Sequence, residues 1–171
     1  RRGFPVPGYR AHVFGGALVA GGALGLLAWA GVYAASLEYA LVLVCIAALA
    51  ALFPDVDTDS KGQHLFYGAL FAIDLGLIAT GRYFWAALLG LFAMLPAIGR
   101  HRGWTHSWWA MFLVPLPLLL LPAYVFGAQW QAFAPYYLAA VNGYGSHLLL
   151  DGVFKGECSG TGRSTERLLP I

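Results

Sequence analysis

The sequence predicts an all-α fold, a polytopic membrane helical bundle of about six spans. Three observations predict it. Of 171 residues, 60% are hydrophobic and only 11% are charged, with a mean hydropathy of +0.68. A soluble domain of this size has too much surface to hide so much apolar material. The apolar residues fall into runs near the length of about 17–25 residues that a helix needs to cross a bilayer. Aromatic residues at 15% and 22 glycines also fit membrane helices, which use interfacial rings and small packing residues.

The first run is 11–35, where Ala17, Gly21 and Gly25 fall at i, i+4, i+8 and predict a face for close helix packing. The second is 38–53, ended by the polar stretch FPDVDTDSKGQ. The third and fourth are 65–80 and 83–98, divided at Gly81-Arg82, with Tyr83, Phe84 and Trp85 at the interface. The fifth, 106–126, carries Pro115, Pro117 and Pro122, which should bend it. The sixth is 132–154. Residues 1–155 then form one membrane-embedded domain and 156–171 a polar cytoplasmic tail. The chain opens RRGFP without Met, so a trimmed natural start is expected, and no signal peptide with a cleavage site is visible.

Six spans put both termini and the 54–64 and 99–104 loops on one side. Nine of the ten Lys and Arg residues lie there, and only Arg82 lies opposite. The positive-inside rule makes the crowded side cytoplasmic. A net charge of +2 is too small to argue for nucleic acid, so no nucleic-acid partner is expected. Cys45 and Cys158 form no disulfide framework.

All five histidines, His12, His64, His101, His106 and His147, also fall on the cytoplasmic side, with Asp55, Asp57, Asp59 and Asp151. Charge orientation does not require histidines to follow the lysines and arginines. Four separated stretches therefore read as parts of one site. In SHLLLD, His147 and Asp151 share a helix face at i, i+4, and Gly143 one turn earlier leaves room for a ligand. In PDVD, Pro54 disfavours helix, so Asp55 and Asp57 point the same way along an extended segment. In HRGWTHS, Gly103 breaks the chain and Thr105 is an N-cap that sets His106 at a helix N-terminus.

Histidine with aspartate suits a divalent metal, zinc first, with manganese or magnesium as alternatives. The expected metal set is His12, Asp55, His101, His106, His147 and Asp151. Zinc sites take about three or four protein ligands, so the surplus of donors leaves room for two ions. His64 reads better as an interfacial polar residue. Asp74 is an intramembrane acid and so a functional residue by default, yet it lies toward the outer end of its span.

In this order, AHVFGGAL, LFPDVDTDSKGQ, HRGWTHS and GYGSHLLLDG resemble the YdjM-like membrane-bound metal-dependent hydrolases, an inner-membrane family of bacteria and archaea with a LexA-regulated member. HRGWTHS followed by SHLLLD carries most of the likeness, which runs from His12 to Asp151. His12, Asp55, Asp57, His101, His106, His147 and Asp151 match the family's polar positions. His64 matches none clearly, and the tail KGECSGTGRSTERLLPI matches loosely. The family is more remotely similar to the zinc-dependent phospholipases C, all-helical enzymes with a His/Asp multi-zinc centre, and that likeness implies phosphoester chemistry.

The function expected is a metal-dependent phosphoesterase of the inner membrane, acting on a lipid or lipid-linked phosphate at the cytoplasmic leaflet. Arg102, with Arg100 or Lys61, would hold the phosphate oxygens, and Asp57 would take the proton of the attacking water. Two rivals come from other classes. A metal or proton transporter would place its site near the midplane, where only Asp74 lies. A non-catalytic scaffold would close a structural metal's coordination sphere.

Overall fold

A computed structural model of the chain describes residues 8–56, 60–98 and 104–159. Among them the secondary structure is helical throughout, with no strand. The α-helices are α1 (Tyr9–Trp29), α2 (Leu37–Ala50), α3 (Lys61–Ala79), α4 (Tyr83–Ala93), α5 (Trp108–Leu113), α6 (Leu116–Phe126) and α7 (Ala134–Ser159). Short 3-10 turns cover Phe53–Asp55, Leu95–Ile98, Trp104–His106 and Trp130–Ala132.

The helix boundaries have local causes. Ser36 caps α2 by accepting the Tyr39 N–H at 3.3 Å, and Ser60 caps α3 by accepting that of Gln63 at 3.1 Å. Gly31, Gly81 and Gly127 follow α1, α3 and α6 with φ of 68°, 72° and 61°, a left-handed region that costs glycine little. Gly81 thus divides the third and fourth apolar runs, as expected. In the fifth run Pro115 does more than bend the chain, because it separates α5 from α6. Pro117 lies in the first turn of α6, where its missing N–H is harmless, and Pro122 is carried inside the helix.

Four segments are long and apolar enough to cross a membrane: Tyr9–Trp29, Leu37–Asp55, Lys61–Ala79 and Trp108–Phe126. At 11 residues α4 is shorter, reaching about 16 Å at ~1.5 Å per residue against a hydrocarbon core of about 30 Å. With 26 residues α7 has the length, but it carries Asn142, Ser146, His147 and Asp151. Large apolar side chains such as Phe14, Leu18, Trp29, Leu41, Phe71 and Leu91 point outward, as they do on helices solvated by lipid.

Three helices, α1, α2 and α7, pack against one another. A second unit, the hairpin of α3 and α4, and a third, α5 with α6 against α7, lie around them. The core centres on Phe53, whose ring meets those of Phe66, Phe92, Trp104 and Tyr144 at centroid distances of 5.6 to 6.4 Å. Leu52, Val56, Met111, Val114 and Leu148 complete it. Phe53 and Trp104 belong to the turns that present Asp55 and His106, so this aromatic core is also the floor of the candidate site.

The small-residue face on α1 differs from the expected one by a single position. The buried stripe is His12, Gly16 and Ala20, whereas the positions where a Cβ would stand on Gly21 and Gly25 meet no atom within 4 Å. The reason is the partner surface. A Cβ on Gly16 would lie 2.8 Å from the Ala47 carbonyl oxygen and 2.9 Å from the Ala51 Cβ, so backbone meets backbone there. Gly143 of α7 presses on the same Ala47, where an added Cβ would fall 2.0 Å from that oxygen. Gly143 was expected to leave room for a ligand; instead it lets α7 close onto α2.

Candidate metal centre

The crossing at Ala47 decides where the polar groups go. His12 lies one turn before Gly16 on α1, and His147 lies one turn after Gly143 on α7. The two imidazoles stack with centroids 3.9 Å apart and 24° between their planes. Both are buried, at 1% and 0% exposure. Asp151 follows one turn beyond His147, and its Oδ1 is 3.7 Å from His12 Nε2. The expected His147–Asp151 face is therefore present, and α1 supplies its third member.

Two turns complete the cluster. After α2, Phe53–Asp55 is a 3-10 turn with Pro54 at its start, where proline's fixed φ and absent N–H are tolerated. The extended PDVD segment expected there is thus corrected to a helical turn, and Asp57 lies outside the described residues. Asp55 Oδ1 comes to 3.7 Å from His147 Nε2 and 3.4 Å from His106 Nε2. His106 Nε2 is also 3.8 Å from Asp151 Oδ2. His106 closes the 3-10 turn Trp104–His106, and Ser107 stands at the N-cap of α5, so Thr105 is not the N-cap expected. Thr105 Oγ1 instead lies 3.3 Å from His106 Nδ1.

Supporting hydrogen bonds orient these rings. His147 Nδ1 donates to the Ala51 carbonyl at 2.7 Å, which leaves Nε2 as the nitrogen with a free lone pair, facing the carboxylates. The buried Tyr144 hydroxyl donates to the Thr105 carbonyl and pins the His106 turn onto α7. Tyr144 and Ala51 were not expected from the sequence. The only sequence signal for Tyr144 is a hydroxyl-bearing ring between Gly143 and Gly145 in GYGSH, one turn before His147.

Two sets of donors have ligand atoms within 4.8 Å of one another: His12, Asp55 and His147, and His106, His147 and Asp151. Nε2 of His106 and of His147 is buried and makes no hydrogen bond among the described residues. Both stand 3.4 to 3.8 Å from carboxylate oxygens, and an ion between them would take up their lone pairs. Imidazole nitrogen with carboxylate oxygen is a donor set suited to zinc and neighbouring divalent metals. The residues present fit a metal.

Other expected site residues fall elsewhere. His64 is exposed on α3, with Nδ1 2.8 Å from the Ser60 carbonyl, and joins neither donor set. Lys61 is exposed at the first position of α3. Asp74 lines a separate cleft between α3 and α4. Arg100, His101 and Arg102 lie outside the described residues.

Apolar helices closing around a partly buried histidine–aspartate cluster define a helical membrane protein with a candidate metal centre. No curated protein and no solved structure matches the chain. A family model does: that of the YdjM inner membrane protein matches residues 10–170. The chain belongs to the YdjM family of inner-membrane proteins, and the resemblance read from its motifs is borne out.

Proposed function

We propose that the protein is a metal-dependent hydrolase of the inner membrane that cleaves a phosphoester of a lipid or lipid-linked phosphate at the cytoplasmic leaflet. One observation carries this reading. Three histidines and two aspartates from four separate parts of the chain converge with their ligand atoms a few ångströms apart. An all-apolar core would be cheaper, because every polar group brought in from water must be desolvated.

His12, Asp55, His106, His147 and Asp151 would hold the ion. Both donor sets use His147, and its one free nitrogen serves a single ion. These five residues therefore suit one ion, and a second would draw on further donors such as His101. A bound divalent ion supplies Lewis acidity and an activated water. Asp57 is assigned to accept the water's proton. Arg102, with Arg100 and Lys61, is assigned to the phosphate oxygens. In the same reading the chain has six spans with both termini cytoplasmic, and zinc is the first choice of metal.

The test pairs metal stoichiometry with a panel of lipid phosphoesters, using the purified wild type and Arg102→Ala in matched detergent. The expected result is a stoichiometric metal in both proteins and hydrolysis impaired in the variant. A metal-loaded wild type that hydrolyses no phosphoester would replace the enzyme reading with a structural metal.

A further inference from the structure

Away from the histidines, α3 and α4 flank a half-open cleft of about 260 Å³. Its walls are Tyr67, Leu70 and Phe71 from α3 and Leu89, Gly90 and Ala93 from α4, and the acid Asp74 faces them. At one end the Tyr67 hydroxyl donates to the Ala93 carbonyl at 3.2 Å and ties the two helices together. Gly90 leaves its part of the wall without a side chain, and a Cβ built there would meet no atom within 4 Å. Asp74 Oδ1 is buried and has no hydrogen-bond partner among the described residues.

An acid inside an apolar span is costly, and such residues normally face a partner. Among the described residues the wall of this cleft holds no basic side chain. We propose that the α3–α4 cleft is a binding site for a small organic ammonium ion with an apolar body, held by Asp74 and separate from the histidine–aspartate centre. A carboxylate oxygen selects a hydrogen-bond donor. The rings of Tyr67 and Phe71 favour a cation over a neutral donor. Leu70, Leu89 and Ala93 accommodate hydrocarbon. The volume is ample for one aromatic ring, since an apolar cavity of about 150 Å³ already takes benzene.

Benzylamine and its neutral counterpart benzyl alcohol are suitable probes. Saturation-transfer NMR on the full chain in detergent, with protein-free micelles as the blank, reads their binding. Wild type should bind benzylamine saturably and about tenfold more tightly than the alcohol, as one charge-assisted hydrogen bond warrants. Asp74→Asn keeps the shape and should abolish that preference without changing metal content. Gly90→Leu fills the cleft and should abolish binding of both probes, with size-exclusion behaviour reporting its fold. Equal affinity of wild type for amine and alcohol would show a lipid-filled groove and overturn the proposal. So would benzylamine binding that survives Asp74→Asn, or loss of metal in that variant.

Discussion

His147 and Ala51 are 96 positions apart, and a 2.7 Å hydrogen bond joins the imidazole of one to the backbone carbonyl of the other. A carbonyl only accepts, so the bond fixes the proton on Nδ1 and turns Nε2 toward Asp55. The C-terminal end of α2 thereby sets the tautomer of a residue on α7.

This relationship makes His147 the least replaceable member of the cluster. Substituting a residue that hydrogen-bonds to a metal ligand typically costs about 10–100-fold in metal affinity, and removing the ligand itself should cost more. His147→Ala is expected to purify with little or no metal. His12→Ala should follow it, since its ring stacks on His147 and its Nε2 faces Asp151. Elemental analysis of each variant, normalised to protein, checks this, and full stoichiometry in both would rule out the shared centre.

Tyr144→Phe tests the support beneath His106. The change removes one hydroxyl and leaves the Thr105 carbonyl without its bond to α7. An unsatisfied buried acceptor costs about 1–3 kcal/mol. A loss of stability in that range is expected, with metal affinity reduced about tenfold rather than abolished. Thermal unfolding in detergent and competitive chelation separate the two effects.

Glycine substitutions should divide sharply by position. Gly143→Ala drives a methyl group into the Ala47 backbone and should exceed the 1–3 kcal/mol typical of overpacking. Gly16→Ala meets the same carbonyl at 2.8 Å and should also destabilise. Gly21→Ala meets nothing and should leave the unfolding temperature unchanged. Comparable losses in all three would mean that α1 packs through a different face.

Topology supplies a fourth test. Nine of ten Lys and Arg residues lie on one side of the proposed six-span arrangement, which predicts that reporter fusions at both ends score as cytoplasmic. Termini on opposite sides would require an odd number of spans.

Much of the candidate centre was legible because polar groups are scarce and costly in an apolar chain. His147 and Asp151 announced themselves at helical spacing, and His12, Asp55 and His106 by lying at the ends of apolar runs. The divide at Gly81 was legible for a similarly local reason, the left-handed turn. Details set by a partner were not. Whether Gly16 or Gly21 packs depends on where the Ala47 carbonyl lies. Gly143 reads alike whether it makes room for a ligand or for a helix. Pro54 disfavours a continuing α-helix, yet a 3-10 turn starts comfortably with it. Tyr144 acts through a carbonyl, and any residue could supply that acceptor.

The pairing of His12 with Asp151 also bears on how the protein is made. These residues are roughly 140 positions apart, which at about 5–20 residues per second is about 7–28 s of synthesis. Throughout that interval α1 is already in the bilayer with its imidazole lacking the neighbours that later bury it. The centre cannot assemble until α7 has left the ribosome and docked at Ala47. Any loading with an ion would then belong to late biogenesis, after the last helix has been inserted, and a nascent chain stalled before α7 would lack His147 and Asp151.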